Sequence, residues 1–313
     1  MIPTRDDVLA AREALGGRLH RTPVFSSATL SRLTGAHVFI KAELFQRTGS
    51  FKPRGILHKI DSLSAEEKQR GVISISAGNA AQAVAWASAE AGADALVVMW
   101  QGASEQKIES TRNYGADVDL EAENPTEAFA RLHRLAEETG RTIVHPYDDA
   151  LVVAGQGTVG LEIMEDVPGV TVIVAPIGGG GLVSGIALAT DARVVGVEPE
   201  SSDAMHAALA AGRAVPVQPA SIADGLSAPV AGETTLAVCQ QRGVESVLVT
   251  DAEIEEGMRF LYGRAKLACE PAGAASTAAL LAGRVVFDPA ETVVVVVSGG
   301  NVATQTAVAI LGS

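Results

Sequence analysis

Thr292-Val293-Val294-Val295-Val296-Val297 restricts what this chain can fold into more than any other stretch. Consecutive β-branched residues form a strand with no polar face, so both of its faces must be covered. A strand of a half-solvated antiparallel sheet would alternate apolar and polar residues, and this run does not. It predicts the interior of a parallel sheet with helices packed on either side. The run ends at Ser298-Gly299-Gly300-Asn301, and open α/β sheets bind ligands at the C-terminal ends of such strands. Ser298 could equally cap a helix running from Asn301 onward.

The rest of the chain alternates in the same manner. Val38-Phe39-Ile40-Lys41, Val72 to Ile75, Ala95 to Met99, Thr142 to Val144, Thr171 to Val174, Val194 to Val197 and Val247 to Val249 read as strands. Helical patterns lie between them, at Asn79 to Ala91, Glu105 to Tyr114, Thr126 to Thr139 and Ala252 to Arg264. This order predicts parallel α/β layers. No internal repeat, low-complexity tract or long linker marks a domain boundary, although 313 residues allow one large or two modest domains.

Two segments carry chemistry. Gly178-Gly179-Gly180-Gly181 stands between the strand pattern and the helix-like Leu182 to Ala189. Backbone N–H groups can converge there with no Cβ in the way, and a helix N-terminus adds positive potential, so the loop suits a phosphate. The G-x-G-x-x-G dinucleotide pattern fits poorly: counted from Gly178 its last glycine falls on Val183, and counted from Gly179 it falls on Ser184. The second segment, Thr48-Gly49-Ser50-Phe51-Lys52-Pro53-Arg54-Gly55, places one lysine at a helix start. An amine fixed there can form a Schiff base with an aldehyde cofactor, although an ordinary solvated lysine would have the same local sequence.

Composition removes several classes. The net charge is −13 with no basic stripe, which argues against nucleic acid or an anionic membrane as a partner. The N-terminal residues Met1 to Asp7 lack the apolar core of a secretory signal, and no apolar run is long enough to span a bilayer. Cys239 and Cys269 form no C-x-x-C pair and suit a reducing cytoplasm, and the scattered histidines do not suggest a zinc site.

Lys52, the tetraglycine loop and Ser298 together resemble the fold type II pyridoxal-phosphate enzymes, in particular the serine/threonine dehydratase group that also contains serine racemase. The resemblance extends to Arg21-Thr22-Pro23-Val24, Lys41 to Gln46, Ser76-Ala77-Gly78-Asn79, His145 to Asp149, Ala154 to Thr158, Ala223-Asp224-Gly225 and Glu270-Pro271-Ala272-Gly273. It implies a tryptophan synthase β-like α/β fold of two parallel-rich domains. The smaller, residues 71–148, would be inserted into a larger one built from 1–70 and 149–313, with the cofactor between them.

The resemblance also implies roles. Lys52 would hold pyridoxal 5′-phosphate and serve as the base for the substrate α-proton, with Phe51 packed against the cofactor. Gly178, Gly179, Gly180, Gly181 and Leu182 would bind its phosphate, Asn79 its phenolic oxygen and Ser298 its pyridine nitrogen. Ser76, Ala77, Gly78, Asn79 and Ala80 would receive the substrate carboxylate, although Ser76 and Asn79 could simply cap a helix. Several residues depart from the family pattern. Ala80 replaces a frequent histidine. Ala77 replaces the serine that returns a proton in serine racemases. Ala204 falls where a cation-binding carboxylate would follow Glu198, with Asp203 one residue early, so no metal is expected. Pro53 biases Lys52 against helical geometry.

The expected activity is a pyridoxal-phosphate ammonia-lyase, acting on L-threonine, L-serine or another 3-hydroxy amino acid. The expected protein is a cytoplasmic homodimer with a small-molecule substrate and, since the sequence ends at Ser313, no appended regulatory domain. A racemase is the alternative within the family; a nicotinamide oxidoreductase or a non-catalytic pyridoxal-phosphate-binding protein are the alternatives outside it.

Overall fold

The computed structural model describes residues 2–312. Its strands are β1 (Val24–Ser26), β2 (His37–Ala42), β3 (Val72–Ile75), β4 (Ala95–Trp100), β5 (Asp117–Ala122), β6 (Thr142–Ile143), β7 (Val172–Pro176), β8 (Arg193–Pro199), β9 (Glu245–Val249) and β10 (Thr292–Val297). They form two sheets, one in the order β1-β2-β10-β7-β8-β9 and the other in the order β5-β4-β3-β6. All pairings are parallel except that of the edge strand β1 with β2. This is the parallel-rich α/β architecture that the alternation predicts.

The valine run is the interior strand β10, in register with β2 (Val295 opposite Ile40) and with β7 (Val295 opposite Val174). Val293 to Val297 are wholly buried. Their side chains alternate between two apolar clusters on opposite faces of the sheet, and burial of each contributes roughly 1.5–3 kcal/mol.

Three adjacent strands release the chain at one end of this sheet. After β10 comes Ser298 and after β7 comes the tetraglycine loop; after β2 two short turns lead to Lys52. The Lys52 segment is pinned there, because Phe51 N donates to the Ser298 carbonyl at 3.1 Å and Ser50 bridges Gly299. Lys52 is helical (φ −53°, ψ −38°) and caps the helix Pro53–Asp61. These backbone bonds, with Arg54 N donating to the Phe51 carbonyl at 3.1 Å, override the bias that Pro53 imposes.

The helix Pro53–Asp61 packs on the helix Ala150–Asp166 at backbone distance. A Cβ on Gly55 would lie 2.3 Å from the Val152 carbonyl oxygen. Their crossing carries a buried ionic network. Arg54 Nε and Nη2 donate to Glu43 (2.8 and 2.9 Å), while Nη1 and Nη2 donate to Glu162 (2.7 and 2.9 Å). Lys41 Nζ donates to Glu162 (2.6 Å) and to the Thr22 carbonyl (2.9 Å). Burial pulls the Arg54 pKa down, but Glu43 and Glu162 outweigh it and hold it above the ordinary value.

Removal of Arg54 would leave Glu43, which has no solvent exposure, without its cationic partner, and Glu162 with Lys41 alone. Arg54→Ala should lower the unfolding free energy by about 3–5 kcal/mol, read from urea denaturation. Arg12→Ala, which breaks an exposed pair with Glu165, should cost less than about 1 kcal/mol. Equal losses in the two variants would show that the buried network does not stabilise the fold.

Candidate active site

One cavity of about 790 Å³ is lined by Phe51, Lys52, Ser76 to Ala80, Gly178 to Leu182 and Ser298. Every site residue marked in the sequence therefore lies on a single wall-to-wall surface. The two sheets contribute together: β3 releases Ser76 to Ala80 into the helix Asn79–Ala91, opposite the segments that leave β2, β7 and β10.

Lys52 Nζ donates to the Pro146 carbonyl at 3.0 Å and lies 5.1 Å from the centre of the Phe51 ring. Loss of hydration brings the amine pKa down to about 8; the negative charge of Glu270 works in the opposite direction and is the weaker effect. The neutral amine, which a nucleophile or base requires, is therefore more populated near neutral pH than in a solvated lysine.

The tetraglycine loop is held from behind. Thr235 Oγ1 (2.7 Å) and Gly232 N (3.2 Å) donate to the Gly179 carbonyl, and Ser184 N (3.0 Å) and Oγ (2.7 Å) donate to that of Gly180. Among the described residues, no backbone N–H from Gly178 to Leu182 donates to a protein acceptor. With its carbonyls tied down and its N–H groups free at the start of the helix Gly181–Ala189, the loop fits an anion. Glycine is needed at two positions: Gly180 has φ +98°, and a Cβ on Gly179 would stand 2.3 Å from the Tyr147 ring. Tyr147 is fixed in turn by its hydroxyl, which donates to the Val230 carbonyl at 3.1 Å.

Ser298 is buried at the end of β10, and the helix that could have begun at Asn301 begins instead at Thr304 (Thr304–Leu311). The serine is therefore not a helix cap. Asn79 is the first residue of its helix, yet its side chain makes no cap. Its Nδ2 donates to Glu270 Oε1 at 2.5 Å and its Oδ1 accepts from Asn301 Nδ2 at 2.8 Å. Ser76 Oγ accepts from Gly78 N at 3.1 Å, which engages one of the turn's donors; the N–H groups of Asn79 and Ala80 have no protein acceptor among the described residues.

Two participants carry no local sequence signal of a role. Glu270 lines the cavity although it is only 2% exposed, and burial pushes its pKa up to about 7. Lys107, on the helix Glu105–Asn113, pairs with Asp224 across the cavity, joining parts that belong to different sheets. The Glu-Pro-Ala-Gly and Ala-Asp-Gly stretches are visible signals, but nothing local assigns them a direction. Glu198 lies elsewhere. Its carboxylate accepts from Met205 N and His206 N (both 2.8 Å) and from Ser246 Oγ (3.0 Å). Asp203 only precedes that helix, Ala204–Ala211, without a capping bond.

A parallel α/β scaffold with an amine of lowered pKa beside an anion loop defines a class of enzymes that bind an aldehyde-bearing phosphate cofactor. Residues 17–299 match the "Pyridoxal-phosphate dependent enzyme" family. The L-threonine ammonia-lyase of Thermotoga maritima is 43% identical, over 96% of this chain and 76% of its own length. Among solved structures, maize serine racemase superposes with a TM-score of 0.93 at 34% identity, covering 98% of this chain and 96% of that one. A threonine deaminase from T.th. gives a TM-score of 0.87 at 36% identity, covering 96% and 99%.

The chain belongs to the pyridoxal-phosphate dependent enzymes, in the fold type II group of serine/threonine dehydratases and serine racemases. Its cofactor is pyridoxal 5′-phosphate, and the free N–H groups of the glycine loop fit the phosphate of that cofactor.

Gly179→Ala should weaken cofactor binding at least about tenfold, because the loop must shift to escape the Tyr147 ring. Fluorescence titration of the apoprotein checks this. Tyr147→Ala in the same chain should recover part of the loss; failure of both effects would remove the loop from the phosphate site.

Proposed function

We propose that this protein is a pyridoxal-phosphate-dependent ammonia-lyase that converts a β-hydroxy amino acid, L-threonine or L-serine, to a 2-oxo acid and ammonia. The observation that carries the reading is the Lys52 amine, with its pKa near 8, between the anion loop and Ser298 on one cavity. The name of the Thermotoga relative supports the reaction class.

Bound pyridoxal phosphate supplies an aldehyde for an amine and an aromatic ring that draws electrons from the bonds of the substrate α-carbon. Lys52 would hold the cofactor, and its Nζ, when free, would take the α-proton of the bound substrate. Its neutral fraction at working pH follows from desolvation. Gly178 to Leu182 bind the phosphate through backbone N–H groups, and the Phe51 ring excludes water beside Lys52. Asn79 would donate its other N–H to the cofactor's phenolic oxygen.

Ser298 offers the ring nitrogen a neutral hydroxyl, which does not enforce ring protonation as a carboxylate would. A weaker electron sink favours prompt loss of the β-hydroxyl over a persistent carbanion. Ser76 to Ala80 receive the substrate carboxylate, with the N–H groups of Asn79 and Ala80 as the free donors. Overall the substrate would lose its α-proton, through Lys52 Nζ, and its β-hydroxyl, which together make one water, and the enamine left after release would take up water to give the 2-oxo acid and ammonia.

The reading includes a smaller domain, 71–148, inserted between 1–70 and 149–313, and a cytoplasmic homodimer. Cys239 and Cys269 are both free and buried, and among the described residues no helix is long and apolar enough to cross a membrane.

Borohydride reduction and peptide mapping should place the pyridoxyl group on Lys52. The rate of cofactor capture by the apoprotein should rise with pH through a midpoint near 8, since the neutral amine is the nucleophile. An adduct on Lys41 or Lys59 would overturn the reading.

Elimination is separated from racemisation by Ala77, whose methyl group lines the cavity where serine racemases carry a proton-donating serine. Chiral chromatography with L-serine should show pyruvate and little D-serine. Ala77→Ser should raise the D-isomer fraction, and D-serine accumulating as fast as pyruvate in the unaltered enzyme would refute the assignment.

A further inference from the structure

Asn301 makes two hydrogen bonds with one nitrogen. Its Nδ2 donates to the Thr48 carbonyl at 2.7 Å and to Asn79 Oδ1 at 2.8 Å. A backbone carbonyl only accepts, so the Thr48 contact allows the Asn301 amide one orientation. The second hydrogen of that nitrogen then requires an acceptor, and Asn79 must meet it with Oδ1. Asn79 Nδ2 is thereby turned to Glu270, whose carboxylate accepts it at 2.5 Å. Both ends of the series, Thr48 and Glu270, are acceptors, and they set the direction of the two amides between them.

The geometry around Asn301 is specific to this task. Its Oδ1 lies 2.5 Å from where a Cβ on Gly49 would stand, so only glycine admits it. Thr48 has φ +58°, a conformation that L-residues seldom adopt, and its carbonyl is the one Asn301 secures. The turn it belongs to lies just before Lys52, whereas Asn79 projects from the helix that follows β3. One side chain thus links the lysine segment to a helix of the other sheet.

We propose that Asn301 is a positioning residue: it sets the Asn79 carboxamide so that the N–H not taken by Glu270, and not the carbonyl, is available to the cofactor, and it couples that setting to the turn that presents Lys52. The inference rests on the reading of Asn79 as a cofactor contact. It predicts that the cofactor atom met by Asn79 is an oxygen acceptor, and that the polarity of this contact is decided by Asn301.

Asn301→Asp tests this at nearly constant shape. A carboxylate cannot donate to Thr48 or to Asn79, so Asn79 would turn to donate to the new acid and offer its carbonyl on the other side. Two readouts are followed: the cofactor Kd of the apoprotein, and the pH midpoint of the visible absorption band of the bound cofactor. Asn301→Asp should weaken the Kd at least about tenfold and move the midpoint. In an Asn79→Ala background the same change should cost less than about twofold, because the group it acts through is gone.

Asn301→Ala, run through the same cycle, stands in should the aspartate variant fail to give a cooperative thermal transition. Wild-type Kd and midpoint in the Asn301 variants, or a loss equally large with and without Asn79, would overturn the inference while leaving the Asn79 contact intact. Unchanged readouts in Asn79→Ala itself would overturn that contact and the inference together.

Discussion

The Arg54 guanidinium is the interaction on which the active-site scaffold rests. It stands two residues after Lys52, and it closes against Glu43, from the turn after β2, and Glu162, from the helix Ala150–Asp166. Burial of four ionised groups is expensive, and such a cluster is tolerable only when each charge meets opposite charge with good geometry. Here the two cations Lys41 and Arg54 balance the two carboxylates, and Arg54 uses its planar fork on both acids. Arg54 and Lys41 hold the Glu162 pKa below the ordinary value although burial works against them. Apolar residues of equal volume could stabilise this crossing as well, but would not specify one docking of the lysine helix.

That docking matters because the chemistry depends on a balance of desolvation and charge. Lys52 and Glu270 share the cavity, and each partly offsets the cost of the other's charge. Burial is the stronger effect on both, so the amine falls to about 8 while the acid rises to about 7. Both groups therefore titrate close to neutrality, the acid before the amine, and the net charge of the pair falls as pH rises through that range. For Glu270 the sign is that of a raised acid: its burial costs stability increasingly as pH climbs from the ordinary carboxylate range through about 7. Its carboxylate accepts from Asn79, and through Asn79 that acid is tied to Asn301 and to the turn before Lys52.

The features legible in the sequence are those whose physics is local. The valine run could only be an interior strand, and the helix Asn79–Ala91 follows its predicted limits because Gly78 and Gly92 end the pattern. The glycine loop and Ser298 are legible because each adjoins a strand end, and Lys52 because Gly49 and Ser50 mark a helix start. The strand β5 (Asp117–Ala122) is absent from the strand pattern read in the sequence: it is an edge strand whose residues, Asp-Val-Asp-Leu-Glu-Ala, are mostly left partly exposed. Lys52's helical geometry is opposed by the local effect of Pro53 and decided by backbone bonds to Phe51 and Ser298. Asn301 and Glu270 are illegible for the same reason. Their partners, Thr48 and Asn79, lie about 190 to 250 positions away in the chain, and no periodicity encodes a contact at that separation.

The same distinction explains why reaction type can be read where substrate size cannot. The groups proposed to act on the α-carbon and its carboxylate are an amine, a serine hydroxyl and backbone N–H groups at helix starts. All of these leave a mark in sequence, as a lysine beside Gly and Ser or as glycines between strand and helix. The remaining wall of the cavity includes Trp100, Phe129, Pro219 and Leu226, which act by shape alone. A hydrophobic wall discriminates side chains differing by one methylene by only about 1–3 kcal/mol, and many residue combinations produce the same contour. Lys107 and Asp224 are the charged exception on that wall, and they neutralise each other across it. That pairing arises only once residues 107 and 224 are brought together by the fold, so the charge of this wall, like its shape, leaves no mark in the sequence.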